Sequence, residues 1–245
     1  MLIWSKYGFE FLARWGHILA GITWIGLLYY FNFVQGPFVN KNASAEAKSD
    51  VSRFLLPRAL WWFRWSAVLT FLSGVMMLGL LPETRAGGDM DWWFGSSEGN
   101  IILTGALIAT TMFTNVWMFI WPNQKIVIAN AEALASGKPA NPEAPKSARR
   151  AFIMSRTNTF LSVPMLFFMA AAAHLQFGVE TGGTRAVYWL VVVVIVAAIE
   201  FNAITATDGP TTKYFEKHRD TIIGGFVLAA ILYALVEILL VSVRP

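Results

Sequence analysis

Of the three histidines in this 245-residue chain, two fall within apolar stretches long enough to cross a bilayer. His17 lies in RWGHILAGITWIGLLYYFNF (14–33) and His174 in MLFFMAAAAHLQF, whereas His218 sits in the charged segment KYFEKHRD and reads as a solvated surface residue. An ionisable side chain inside a span is costly, and it marks a functional site by default. Neutral imidazole is a common axial ligand, so two such residues facing each other across two helices describe a bis-histidine haem b. Gly21 is one turn deeper than His17 on the same face, with Trp24 a further turn down. Ala170 and Ala171 stand about one turn deeper than His174. A flat macrocycle pressed against a helix needs that clearance. Arg14, one turn outward from His17, is placed to meet haem propionates. The candidate cofactor site is therefore His17, His174, Arg14, Gly21, Trp24 and Ala170, with His17 and His174 as the iron ligands. The competing reading is that His17 hydrogen-bonds across a helix contact built from small residues.

The chain has no cysteine, which excludes disulfides, thiolate metal sites and covalently attached c-type haem. A copper or zinc site needs more ligands than two histidines, and the nine methionines show no clustered spacing to supply them. Phosphate-binding loops, nucleophile elbows, metalloprotease motifs and dinucleotide fingerprints are all missing, so soluble-type catalysis has no support.

The elements that must carry the histidines are membrane helices. Hydrophobic residues make up 56% of the chain and charged residues 14%, with a mean hydropathy of +0.53. This composition describes an all-α polytopic membrane protein, and the basic pI of about 9.4 reflects loop charges rather than nucleic-acid binding. Eleven tryptophans and 19 phenylalanines suit aromatic belts at two interfaces. Six segments of about 20 apolar residues qualify as spans: 9–35, 58–81, 100–121, 152–176, 185–205 and 221–243. Together they form a single integral membrane domain, 1–245, with no internal repeat. The N-terminus lacks the pattern of a cleavable signal peptide.

Loop charge orients the bundle. Lys41, Lys48, Arg53, Arg58, Arg64, Lys125, Lys138, Lys146, Arg149, Arg150, Arg156, Lys213, Lys217 and Arg219 fall on one side. Lys6, Arg14, Arg85, Arg185 and Arg244 fall on the side of the N-terminus. Fourteen against five puts the first side in the cytoplasm and both termini outside, in the periplasm of a bacterium. The start of the first span and the end of the fourth then share the periplasmic half. His17 stands roughly 9–12 Å below one helix start and His174 roughly 3–5 Å from the other helix end. Residues 125–150 read as a cytoplasmic loop with a short amphipathic helix to Ser136 and a Pro-rich link. The periplasmic loop PETRAGGDMDWWFGSSEG dips Trp92, Trp93 and Phe94 into the interface.

A second polar set lies toward the cytoplasm: Arg58, Arg64, Asn115, Asn158, Glu200 and Asn202. Arg64 and Glu200 fall at comparable depth and are candidates to pair. The set reads either as glue between helices with snorkelling arginines or as a pocket or proton path. Glu237, deep in the sixth span, has no evident partner.

RWGHILAGITWIGLLYYFNFVQGP, NVWMFIWPNQ and SRTNTFLSVPMLFFM resemble the membrane domain of the bacterial membrane-bound urate oxidases (urate hydroxylases). In that family an integral membrane region precedes a C-terminal cytochrome c. The resemblance implies a redox protein of the bacterial inner membrane that passes electrons toward a periplasmic cytochrome c, which agrees with the outward C-terminus. His17, Gly21 and Trp24 match the first-helix motif. His174 matches by position, although AAAAHLQF departs from the polar segment the family has there. The sequence holds no CxxCH, so a separate cytochrome c is the expected partner. Three functions follow: a haem b electron carrier, a cofactor-free accessory subunit of a larger membrane complex, and urate oxidation with a separate cytochrome.

Overall fold

Prolines and caps set where the helices bend and stop. The computed structural model describes residues 2–179, 183–206 and 208–241. Six long helices follow one another: α1 (Lys6–Lys41), α2 (Ala45–Arg85), α3 (Ser97–Ala135), α4 (Ala144–His174), α5 (Gly183–Thr205) and α6 (His218–Leu239). Short helices at Met90–Gly95 and Lys213–Glu216 lie in the connections. Among the described residues the only β pairing is an isolated antiparallel bridge between Val179 and Val241.

The helices run further than the apolar stretches imply. Most of the expected first cytoplasmic loop is helical, and α1 and α2 are separated only around residues 42–44. There Ser44 caps α2 by accepting the Ala47 N–H. The helix expected after residue 125 exists, but it is the unbroken continuation of α3 to Ala135. Three π-helical segments make these extensions possible: Tyr30–Gln35 in α1, Val51–Leu55 in α2 and Val116–Ile120 in α3. Each ends two residues before a proline, Pro37, Pro57 or Pro122. Proline has no N–H and would leave the carbonyl four residues earlier without its bond. The wider turn shifts the pairing at that point: Gly36 N–H donates to Phe31 O, Leu56 to Val51 O and Trp121 to Val116 O.

α4 occupies the middle of the bundle, packed against α3, α6 and α1. Arg156, Thr157, Asn158, Thr159 and Ser162 of this helix are buried, with Thr157 and Thr159 bonding back to their own helix. Among the described residues five helices, all but α4, are long and apolar enough to cross a membrane, so the chain is a membrane protein. α4 can be the most polar because its neighbours, rather than lipid, receive its polar groups. Its Pro164 frees the carbonyl of Phe160, and α6 comes in against that residue at two glycines, Gly224 on the ring and Gly225 on the carbonyl. A Cβ at Gly225 would sit 2.8 Å from Phe160 O and 2.9 Å from Val163 Cγ2, so only glycine admits this approach.

Tryptophans 61, 62 and 65 are exposed in the middle of α2, and Trp4, Trp15 and Trp92 are exposed toward the periplasm-assigned end of the helices. Trp93 differs from its expected interfacial place: it is fully buried, because Asp89 caps the helix Met90–Gly95 and folds that helix onto α3. Arg244 and the last residues of the expected sixth span lie outside the described residues.

Candidate functional site

The antiparallel pairing of α1 with α2 puts the first turns of α1 beside the last turns of α2. α3 and α4 complete the walls of a cavity of about 470 Å³ in this half of the bundle. His17 and Arg14 line it from α1, Gly74 and Leu78 from α2, Ala106 and Ala109 from α3, and Met165 and Met169 from α4. Almost every other lining group is apolar.

His17 is oriented by its neighbours on α2. The Ser73 hydroxyl donates to Leu69 O at 2.6 Å, so toward His17 it is an acceptor. His17 Nδ1 lies 3.2 Å from Ser73 Oγ, and with that hydroxyl given to Leu69 O the contact suits the tautomer that carries its proton on Nδ1. Nε2 keeps its lone pair, which is the form that ligates a metal. The ring packs on Gly74, where a Cβ would stand 3.2 Å from His17 Cε1. Gly21 and Gly26 open onto space: a Cβ at Gly21 would meet only Thr70 Cγ2 at 3.9 Å, and at Gly26 nothing within 4 Å. Trp24 is 1% exposed and lines the cavity, and its indole N–H has no acceptor. Arg14 is already engaged, donating Nη2 to Glu10 Oε1 at 2.6 Å.

Four of the six expected site residues, Arg14, His17, Gly21 and Trp24, thus share one cavity. His174 and Ala170 do not line it: both are exposed on α4, past the level of Met169. α4 turns its methionines to the cavity, and the five residues from Met169, about 1.4 turns, carry His174 away from it. These residues fit a haem held by one imidazole, with a free Nε2 and a small-residue cradle, and they do not bring two imidazoles together. Ser73, Gly74, Met165, Met169 and Glu10 are additions to the expected set. Only Glu10 had a sequence signal, its i,i+4 spacing to Arg14. Among the described residues no group of three or more His, Asp or Glu side chains is arranged to hold a metal ion.

The cytoplasmic-side set divides. Asn115, Asn158 and Glu200 meet one another. Arg64 does not pair with Glu200; its guanidinium stacks 3.4 Å above the Trp121 ring, and its Nε donates to Leu60 O. Arg58 is exposed, and Asn202 donates to Thr211 O at 3.3 Å. Glu237 is exposed on α6, with Tyr233 one turn earlier as its neighbour. His218 is exposed at the start of α6, its ring 6.1 Å from that of Phe33.

Comparison with curated proteins and with solved structures finds no match. A family model described as urate oxidase N-terminal matches residues 91–240, from the Met90–Gly95 helix through α6. The match takes in α3 and α4, two walls of the cavity, while α1 and α2 precede it. It spans more than half of the sequence, and the chain belongs to the urate oxidase N-terminal family.

Proposed function

We propose that this chain is a membrane redox protein that holds haem b on His17 and passes electrons toward a cytochrome c on the outer face of the bacterial inner membrane. The observation that carries the reading is His17, held through Nδ1 on Ser73, at an apolar cavity framed by glycine and alanine. Haem would supply one-electron exchange at its iron. The chain's own part is to orient the imidazole through Ser73, to clear the ring's space through Gly21, Gly26 and Gly74, and to exclude water with the walls of α3 and α4. Met165 and Met169 offer thioethers from the opposite wall, and Arg14 supplies the positive charge nearest His17 on α1.

The topology that suits this reading has all six long helices crossing, both termini outside and the fourteen-residue basic side in the cytoplasm. The cavity then lies in the periplasmic half, next to the surface where a cytochrome c would dock. A reduced-minus-oxidised spectrum of the detergent-purified protein, with a pyridine haemochrome assay, tests the reading. We expect a b-type α-band in the wild type that is lost in His17→Ala. A colourless wild type overturns the proposal and leaves an accessory subunit without a cofactor. The family match favours a second reading, urate oxidation with a separate cytochrome c. Membranes that consume no urate when cytochrome c is added would exclude it.

A further inference from the structure

Beneath the cavity lies a group of side chains that the haem reading does not use. Asn115 of α3 and Asn158 of α4 are fully buried, and Glu200 of α5 reaches Asn115. Asn158 Nδ2 donates to the Met112 carbonyl at 2.9 Å, which turns its Oδ1 toward Asn115. Asn115 Nδ2 donates to that Oδ1 at 3.0 Å and to Glu200 Oε2 at 3.0 Å. Both amide hydrogens of Asn115 are committed, so its orientation is set by its partners. Two buried acceptors are left without a donor, Asn115 Oδ1 and Glu200 Oε1.

Among the described residues no neighbouring element supplies one. From α4, Arg150 donates to Ile204 O, one turn beyond Glu200. Arg156, also on α4, is buried with Nε and Nη1 unpartnered, and the carboxylate that bears on it is Glu216. α3 has no charged residue between Glu98 and Lys125, and α6 none between Asp220 and Glu237. Arg64 of α2 is held on Trp121. An ionised Glu200 would thus keep one amide N–H and face a bare carbonyl. A buried charge so poorly paired is strongly disfavoured, and each unmet acceptor adds the cost of its own desolvation.

One hydrogen removes these costs together. Placed on Glu200 Oε1 it neutralises the carboxylate and donates to Asn115 Oδ1, while Asn115 Nδ2–H donates back to Oε2 and closes an acid–amide ring. We propose that Glu200 and Asn115 form a buried proton-binding site. A proton needs no cavity of its own. Asn115 is five residues beyond Thr110, which lines the cavity, about 7.5 Å along α3. The site therefore stands between the cavity and the basic end of the bundle, where it can exchange a proton when charge changes above it. Its existence does not depend on the haem reading.

Infrared spectra of the purified full chain at neutral pH, in H2O and D2O, test the proposal. The wild type should show a deuterium-sensitive carboxylic-acid C=O stretch that Glu200→Gln lacks. Glu200→Gln should unfold at the wild-type temperature or above, because an amide closes the same ring. If that variant does not fold, Asn115→Leu serves instead: it should keep the band and shift it to the higher frequency of an unbonded acid. Absence of the band from the wild type, or a band that Asn115→Leu leaves unmoved, overturns the proposal. So does a sodium-dependent rise in wild-type melting temperature that Glu200→Gln abolishes, since the two acceptors would then hold a metal cation.

Discussion

At the level of single residues, His17 is positioned from across a helix contact rather than from its own helix. Ser73 sets its tautomer and Gly74 sets its height, and both sit on α2, 56 and 57 residues away in sequence. Gly74→Ala adds a methyl 3.2 Å from Cε1 and must displace the imidazole by a few tenths of an ångström. The expected result is a folded protein with reduced haem content or a shifted midpoint potential, read by potentiometric titration followed at the b-type band. His174→Ala should leave the haem spectrum as it is, because His174 does not line the cavity. A band lost in His174→Ala to the same extent as in His17→Ala would restore the two-histidine arrangement.

At the level of helices, proline is the recurring device. Pro37, Pro57 and Pro122 are each absorbed by a π-helical segment just before them, and all three segments lie toward the same end of the bundle. Pro164 is handled differently, its freed carbonyl receiving the glycine face of α6. Gly225→Ala should therefore destabilise the protein by about 1–3 kcal/mol, the usual range for overpacking a contact whose opposing group is backbone. Gly79→Ala is the control, since a Cβ there meets nothing within 4 Å and alanine is the better helix former by about 1 kcal/mol. Thermal unfolding of both variants in one detergent checks the pair: Gly225→Ala melts lower and Gly79→Ala does not.

For the whole molecule, charge and topology make one prediction. The chain is free of cysteine, so single cysteines report sidedness without background. In intact cells an impermeant maleimide should label Asp91→Cys, and should reach Asn42→Cys and Lys138→Cys only after the membrane is opened. All three positions are exposed. The opposite pattern would invert the bundle and put the His17 cavity on the cytoplasmic side. At this scale, too, the two sites separate along α3: the cavity reaches Thr110, and the proton site begins at Asn115.

Composition and apolar run length were enough to read the membrane class and the order of the helices, because lipid imposes its length and polarity on each span separately, and helical spacing was enough to put His17, Gly21 and Trp24 along one face. The same local reading began the second helix too late, at residue 58, and ended the third too early, at 121. A π turn before a proline lets the backbone continue, and nothing in hydropathy records it. It also set His174 opposite His17, since depth along a helix is legible in sequence whereas rotation about the axis is not. Only packing decided that α4 presents Met165 and Met169 to the cavity, that Ser73 orients the imidazole, and that Glu200 meets Asn115 rather than Arg64. Those outcomes depend on which faces of distant helices come together, a property of the assembled bundle rather than of any one segment.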